Sequence, residues 1–271
     1  MYGKLKRRYA RHCGSARLHL HMPVLLVGAN LVLLAVLLLD QPVSAYVLHS
    51  GGMLRQVGAI VTDVGKSGWL IFASILILFE ALSVSRLTSS LSARFKALYV
   101  GQLAAYLLAT VVISGLVANL AKRLIGRARP LYQDEAGIFG FSPLHGGFQF
   151  ESFPSGHSTT VGAILMAVAL IAPRYRSLCL VMAIWLGISR VMVGAHYPSD
   201  VIAGLTLGAW SSILLAMLFA RYGFLFREQG NALPVLRRTL PLALPQPPVP
   251  VAKPAAQPEQ REGGDALPAA A

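Results

Sequence analysis

Apolar stretches recur along this chain, and no other feature restricts its fold as strongly. Near residues 22–40, 68–85, 97–119, 158–173, 177–194 and 201–220 the side chains are almost continuously hydrophobic. A helix crossing a bilayer needs about 20 such residues at about 1.5 Å each. Inside lipid the backbone N–H and C=O groups must be satisfied within the segment itself, so these runs are read as helices. Only 13% of the residues are charged, against about 25% in soluble domains. The sequence therefore predicts an all-α, polytopic membrane protein with six transmembrane helices in a bundle. The fourth and fifth runs are short, and Pro173-Arg174-Tyr175-Arg176 turns them into a helical hairpin.

The basic residues then orient the bundle. The net charge is +13, which could suggest a nucleic-acid partner. The cations, however, sit in short segments between apolar runs, as topology signals do. Lys4, Lys6, Arg7, Arg8, Arg11 and Arg17 precede the first run; Arg86, Arg94 and Lys96 follow the second; Arg174 and Arg176 join the fourth to the fifth; Arg221 and Arg227 follow the sixth. All fall on one side, which is expected to be cytoplasmic. Both termini then lie in the cytoplasm of a multi-pass inner-membrane protein, with the opposite ends facing the periplasm or exterior. Cys13 and Cys179 fall on the reducing side and make no disulfide framework. Met22–Leu39 has no prompt small-residue cleavage site and is read as a retained helix rather than a signal peptide. The chain divides into a basic segment at 1–21, a membrane domain at 22–226, and a Pro/Ala-rich tail at 227–271 that is expected to be disordered and cytoplasmic.

Three polar blocks fall at the outer ends of these runs: Lys122-Arg123-Leu124-Ile125-Gly126-Arg127-Ala128-Arg129-Pro130, Pro154-Ser155-Gly156-His157, and Ser189-Arg190 followed by His196 and Asp200. Such residues suit phosphate chemistry. Lys122 offers a compact point charge, and Arg129 and Arg190 offer planar forks that can hold two oxygens at once. Pro154–His157 opens the fourth run, so free N–H groups and a positive dipole end face the phosphate. Gly156 admits close approach, Ser155 adds a hydroxyl donor, and His157 can protonate a leaving alkoxide. His196 and Asp200 lie one helical turn apart, so the carboxylate can hold one imidazole nitrogen and leave the other as a nucleophile. Taken singly, each block also reads as membrane-flanking cations or a helix cap; together, in complementary roles on one face, they read as one site. The residues alone leave open which histidine is the nucleophile.

These blocks closely resemble the signature of the type 2 phosphatidic acid phosphatase (PAP2) superfamily: Lys-x6-Arg-Pro from Lys122 to Pro130, Pro-Ser-Gly-His from Pro154 to His157, and Ser-Arg-x5-His-x3-Asp from Ser189 to Asp200. The resemblance implies an integral membrane lipid phosphatase. It implies that His196 attacks phosphorus to form a phosphohistidine, that His157 is the acid and later the base, and that Asp200 orients His196. Lys122, Arg129, Ser155, Gly156 and Arg190 would bind the phosphoryl oxygens. No metal and no cofactor are expected, because the cations supply the positive charge.

The expected partners are a lipid phosphate substrate and the surrounding lipids, with no nucleic acid and no obligatory protein partner. Phosphatidic acid, phosphatidylglycerol phosphate, a polyprenyl diphosphate and a lipid A phosphate all fit. The alternative is a catalytically silent lipid-phosphate binding or transport protein that retains the phosphate grip. A vanadate-dependent oxidase, which shares the pattern by resemblance, is disfavoured because those enzymes are soluble.

Overall fold

The computed structural model describes residues 21–229 and 232–238, apart from positions 51, 63 and 64. The segment 1–20, with Cys13, and the tail from 239 onward lie outside the described residues.

Eight helices carry the fold: α1 Met22–Leu38, α2 Asp40–His49, α3 Gly52–Thr62, α4 Ser67–Leu87, α5 Leu91–Ile125, α6 Gly156–Ile171, α7 Arg176–Met192 and α8 Pro198–Arg221. Among the described residues, four stretches are long and apolar enough to cross a bilayer: Gly52–Leu87, Leu91–Ile125, Pro173–Met192 and Pro198–Arg221. The pair α1 and α2, bent by 59° at Leu39, passes the same test together and makes a fifth if it crosses as one broken span rather than folding back as a re-entrant loop. Helix α6 is apolar but only 16 residues long. The expected six spans are thus reached only if α6 also crosses. Large apolar side chains such as Leu37, Phe72, Phe79, Leu116 and Leu180 stay exposed on the bundle's flank. That surface suits lipid rather than water.

Local signals set the helix ends. Ser90 caps α5, its side chain accepting from the Ala93 N–H at 3.4 Å. Gly126 ends α5 in the left-handed region at φ +62°, donating its N–H to Lys122 O at 2.8 Å. A Cβ there would stand 2.1 Å from Ser142 O, so the turn and the loop packed on it both require glycine. Helix α5 runs well beyond the expected 97–119, so Lys122 stands on its last turn. The segment between the first two expected runs holds α3.

Helices α6 and α8 touch backbone to backbone. A Cβ on Gly162 would meet Leu205 O at 2.3 Å, one on Gly204 would meet Ser155 O at 2.5 Å, and one on Gly208 would meet Thr159 O at 2.1 Å. Small residues four apart give membrane helices this approach. At the opposite end of the bundle, Tyr106, Leu170, Ile213, Ala216 and Phe226 form the buried core. The Tyr106 hydroxyl lies 2.7 Å from Ser212 Oγ, and its ring meets Phe226 edge-on at 4.9 Å between centroids.

Phe226 belongs to a feature the sequence reading did not anticipate. Strand β1 Phe226–Gln229 pairs antiparallel with β2 Ala232–Leu236, with Phe226 opposite Leu236. The fold is all-α in class, as expected, with this one small hairpin added, and the described structure continues past residue 227. Leu225 and Phe226 are buried, Leu233 and Leu236 pack against the same core, and the Leu225 N–H donates to Gln102 Oε1 at 2.9 Å. The Pro/Ala content of the tail masked these anchors.

Candidate active site

The three blocks converge at one end of the bundle, around a cavity of about 780 Å³. Lys122, Arg129, Gly156, His157 and Arg190 line it, with Ala195, beside His196, at its edge. Below them the wall turns apolar along α5, through Leu116, Val112 and Val111, and α4 adds Ile71. From Lys122 to Val111 the α5 wall runs for about 16 Å at 1.5 Å per residue. The cavity thus joins a cationic mouth to an apolar groove that opens on the bundle's flank, where Leu116 is exposed.

Lys122 is buried and donates from Nζ to Glu151 O at 3.1 Å. After Gly126 the chain extends, and the loop returning from 138 to 152 pairs with it: Ala128 N–H to Gly140 O at 2.8 Å, Arg129 N–H to Gln149 O at 2.9 Å and Ser152 N–H to Arg127 O at 3.0 Å. Arg129 lies over the Phe148 ring at 3.7 Å and donates from Nε to Phe148 O at 2.9 Å, which fixes its guanidinium at the cavity wall. Burial lowers the Arg129 pKa from its ordinary value, against the pull of Glu151 and Asp200. On the last turn of α7, Arg190 donates to Thr62 Oγ1 at 2.7 Å. Helix α3 therefore bears on the site.

Ser155 is the N-cap of α6, its Oγ accepting from Ser158 N–H at 3.4 Å and Ser158 Oγ at 3.0 Å. It is fully buried, caps the helix, and lies behind Gly156 and His157 at the cavity wall. Gly156 and His157 follow at the helix start and do line the cavity. Arg123, by contrast, is exposed and remains a membrane-flanking cation.

His196 sits in the loop between α7 and α8, and Asp200 in the first turn of α8. His196 Nδ1 lies 3.8 Å from Asp200 Oδ2, within ion-pair range but beyond hydrogen-bond reach, and makes no hydrogen bond among the described residues. Both residues are buried. Burial pushes the His196 imidazole down to about 3, with Asp200 opposing it, so the ring is neutral near neutral pH.

The Asp200 carboxylate is held by other donors. Arg127 NH1 reaches Oδ1 at 2.7 Å, Ser152 Oγ reaches Oδ2 at 2.5 Å, and the Tyr197 N–H reaches Oδ2 at 2.9 Å. Arg127 also reaches Asp40 Oδ2 at 2.8 Å and lies over the Tyr197 ring at 4.2 Å. Burial alone would lower the Arg127 pKa; the two carboxylates outweigh it and raise it. Asp40, Arg127 and Ser152 are the site residues that the sequence reading passed over. Arg127 was visible as the second arginine of its block, and Asp40 as the acid that closes the first apolar run. Among the described residues, no three His, Cys, Asp or Glu side chains converge as a metal-ligand set.

Comparison with known proteins gives the family of the chain. The profile of the PAP2 superfamily matches residues 103–223, which contain all three blocks. A lipid A 1-phosphatase of Rhizobium johnstonii is 50% identical over 214 residues, 79% of this chain and 87% of that protein. One from Rhizobium etli is 49% identical over 217 residues, 80% and 93% of the two chains. The crystal structure of a transmembrane PAP2 type phosphatidylglycerolphosphate phosphatase from Bacillus subtilis superposes with a TM-score of 0.52 at 24% identity, covering 74% of this chain and 96% of that one.

Proposed function

This chain belongs to the PAP2 superfamily and is a membrane lipid phosphatase, and from that premise we propose that it removes the 1-phosphate of lipid A through a phosphohistidine, without a metal. The observation that carries the reading is the cavity. Its mouth gathers Lys122, Arg129, Arg190 and His157, and its wall continues as an apolar groove, which suits a phosphate esterified to an acylated lipid. The two Rhizobium relatives narrow the lipid, since both are named for lipid A.

In this mechanism the phosphoryl oxygens lie among Lys122, Arg129, Arg190 and the Gly156 N–H, whose charges and dipoles meet the negative charge that builds in the transition state. Neutral His196 attacks phosphorus with Nε2; the P–N bond forms and the ester P–O bond breaks. His157 gives its proton to the departing oxygen, and the dephosphorylated lipid leaves. Asp200 stabilises the positive charge that develops on His196. The gap of 3.8 Å between them closes as that charge appears. His157, now a base, takes a proton from water; the water attacks the phosphohistidine, and inorganic phosphate leaves with His196 restored. The site opens on the outer face of the inner membrane.

The test is phosphate release by the purified protein in detergent from lipid A, phosphatidic acid and a polyprenyl diphosphate, with His196→Ala as control. Fastest release from lipid A, abolished in the variant, is expected. Faster release from another lipid overturns the substrate, and release that survives His196→Ala overturns the nucleophile. The orientation is tested with a cysteine at position 145: labelling by an impermeant thiol reagent in intact spheroplasts is expected, and labelling only after lysis inverts the topology.

A further inference from the structure

Behind His196 lies a cluster of three buried charges. Asp40, Arg127 and Asp200 are 0%, 3% and 0% exposed. Arg127 bridges the two acids, NH1 to Asp200 Oδ1 at 2.7 Å and NH2 to Asp40 Oδ2 at 2.8 Å. Ser199 completes the arrangement: it accepts from Arg127 NH1 at 2.7 Å, its hydroxyl donates to Asp40 Oδ2 at 2.6 Å, and its N–H donates to Asp40 Oδ1 at 3.0 Å.

The electrostatics of this cluster pose a problem that Asp40 solves. Asp200 must offer negative charge to a histidine that becomes positive on attack. Yet its carboxylate is in direct contact with a guanidinium, and an Arg–Asp pair alone is neutral. In a buried site, neutralising that charge removes most of its effect on a neighbour. Asp40 adds a second negative charge to the same guanidinium, so the triad of Asp40, Arg127 and Asp200 keeps one net negative charge, placed 3.8 Å from His196 Nδ1 at its Asp200 end. Its position requires a reason, since an acid at the break of a membrane-spanning pair is costly unless paired.

We propose that Asp40 and Arg127 are positioning residues for the phosphatase reaction: Arg127 fixes the Asp200 carboxylate, and Asp40 keeps the cluster behind the nucleophile anionic. This rests on His196 being the nucleophile, as proposed above.

The experiment measures kcat and KM for phosphate release by Asp40→Asn, Asp40→Glu, Arg127→Lys and the Asp40→Asn/Arg127→Lys double variant. Wild type and His196→Ala are assayed alongside, with thermal unfolding in detergent to establish folding. Asp40→Asn keeps the shape and removes the charge; its kcat should fall about tenfold to a hundredfold, the range found when residues supporting a reactive group are removed. KM should stay within about twofold, because neither residue lines the cavity. Asp40→Glu restores the charge and should recover most of kcat. Arg127→Lys cannot span both acids and should lose kcat similarly, and the double variant should be little worse than either single, as for residues acting as one unit.

A folded Asp40→Asn with wild-type kcat overturns the proposal, as does an Asp40→Glu no better than Asn, or a loss that falls on KM. If Asp40→Asn is not recovered folded, Arg127→Lys decides alone: kcat within about twofold of wild type overturns the positioning role. Failure here is distinct from failure of the nucleophile assignment, which shows as activity retained by His196→Ala.

Discussion

Replacing Gly204 by alanine tests whether the contact between α6 and α8 sets the catalytic geometry. The added Cβ would stand 2.5 Å from Ser155 O and 2.9 Å from Ser158 Cβ, whereas ordinary contact begins at 3.4 Å. Ser155 O is backbone and is held in the first turn of α6 by the Thr159 N–H at 2.9 Å, so it cannot swing aside. The helices must part by roughly 0.9 Å to restore van der Waals contact. This separation falls on the turn that carries Gly156 and His157, and it moves them away from Asp200, whose carbonyl accepts from the Ser155 N–H at 3.0 Å. A misplacement of about 1 Å between reacting groups costs about a hundredfold in rate. Overpacking of this kind costs about 1–3 kcal/mol of stability. The assay is kcat for phosphate release together with thermal unfolding in detergent. Gly208→Ala is the comparison: its Cβ would meet Thr159 O at 2.1 Å, one turn deeper, so it should lose more stability and less activity than Gly204→Ala. Gly68→Ala is the control, since nothing lies within 4 Å of its Cβ. Gly204→Ala with the kcat and melting temperature of Gly68→Ala would refute the reasoning.

Arg129→Gln keeps a planar hydrogen-bonding side chain but removes charge from the cavity wall, and should lower kcat/KM by about a hundredfold, the scale of one lost transition-state donor; a change under threefold would place the phosphate elsewhere. Acidification should destabilise the protein through His196. Its folded pKa is depressed to about 3 by burial, so between about pH 6.5 and 3 only the unfolded chain takes up its proton. Stability therefore falls as pH drops through that window, at up to about 1.4 kcal/mol per pH unit. Melting curves from pH 7 to 5 should show a shallower decline for His196→Asn than for wild type, and parallel curves would contradict the burial argument. Activity should survive EDTA, because Lys122, Arg129 and Arg190 supply the positive charge that a metal would; loss on chelation, restored by one divalent ion, would reverse this.

Much of the molecule is legible in the sequence because its solvent is lipid. Long apolar runs must be helices where the backbone has no water to bond, and each expected run lies on an observed helix that differs from it at the ends, whereas α3 and nearly all of α2 fall outside those runs. The polar residues that line the cavity were also readable, because fixed cations and a helix start leave a local pattern in the sequence. Lys122, Arg129, Gly156, His157 and Arg190 all reach the one cavity. The hairpin at 226–236 was not readable, since its ordering comes from Leu225, Phe226, Leu233 and Leu236 packing on a core built by distant helices.

What the sequence by itself determined is the membrane-helix class and the inventory of polar side chains that line the cavity, both fixed by composition and short-range spacing. What only the tertiary structure decided is how those side chains are charged and held. Asp40 and Asp200 are far apart in the chain, and only the folded bundle sets them on either side of Arg127. A spacing rule reports neighbours along a helix, whereas the charge next to a nucleophile is the sum over every group that burial brings near, whatever its distance in sequence. For the same reason, that His196 and Asp200 stand 3.8 Å apart, with the carboxylate also held by three other donors, is visible only in three dimensions.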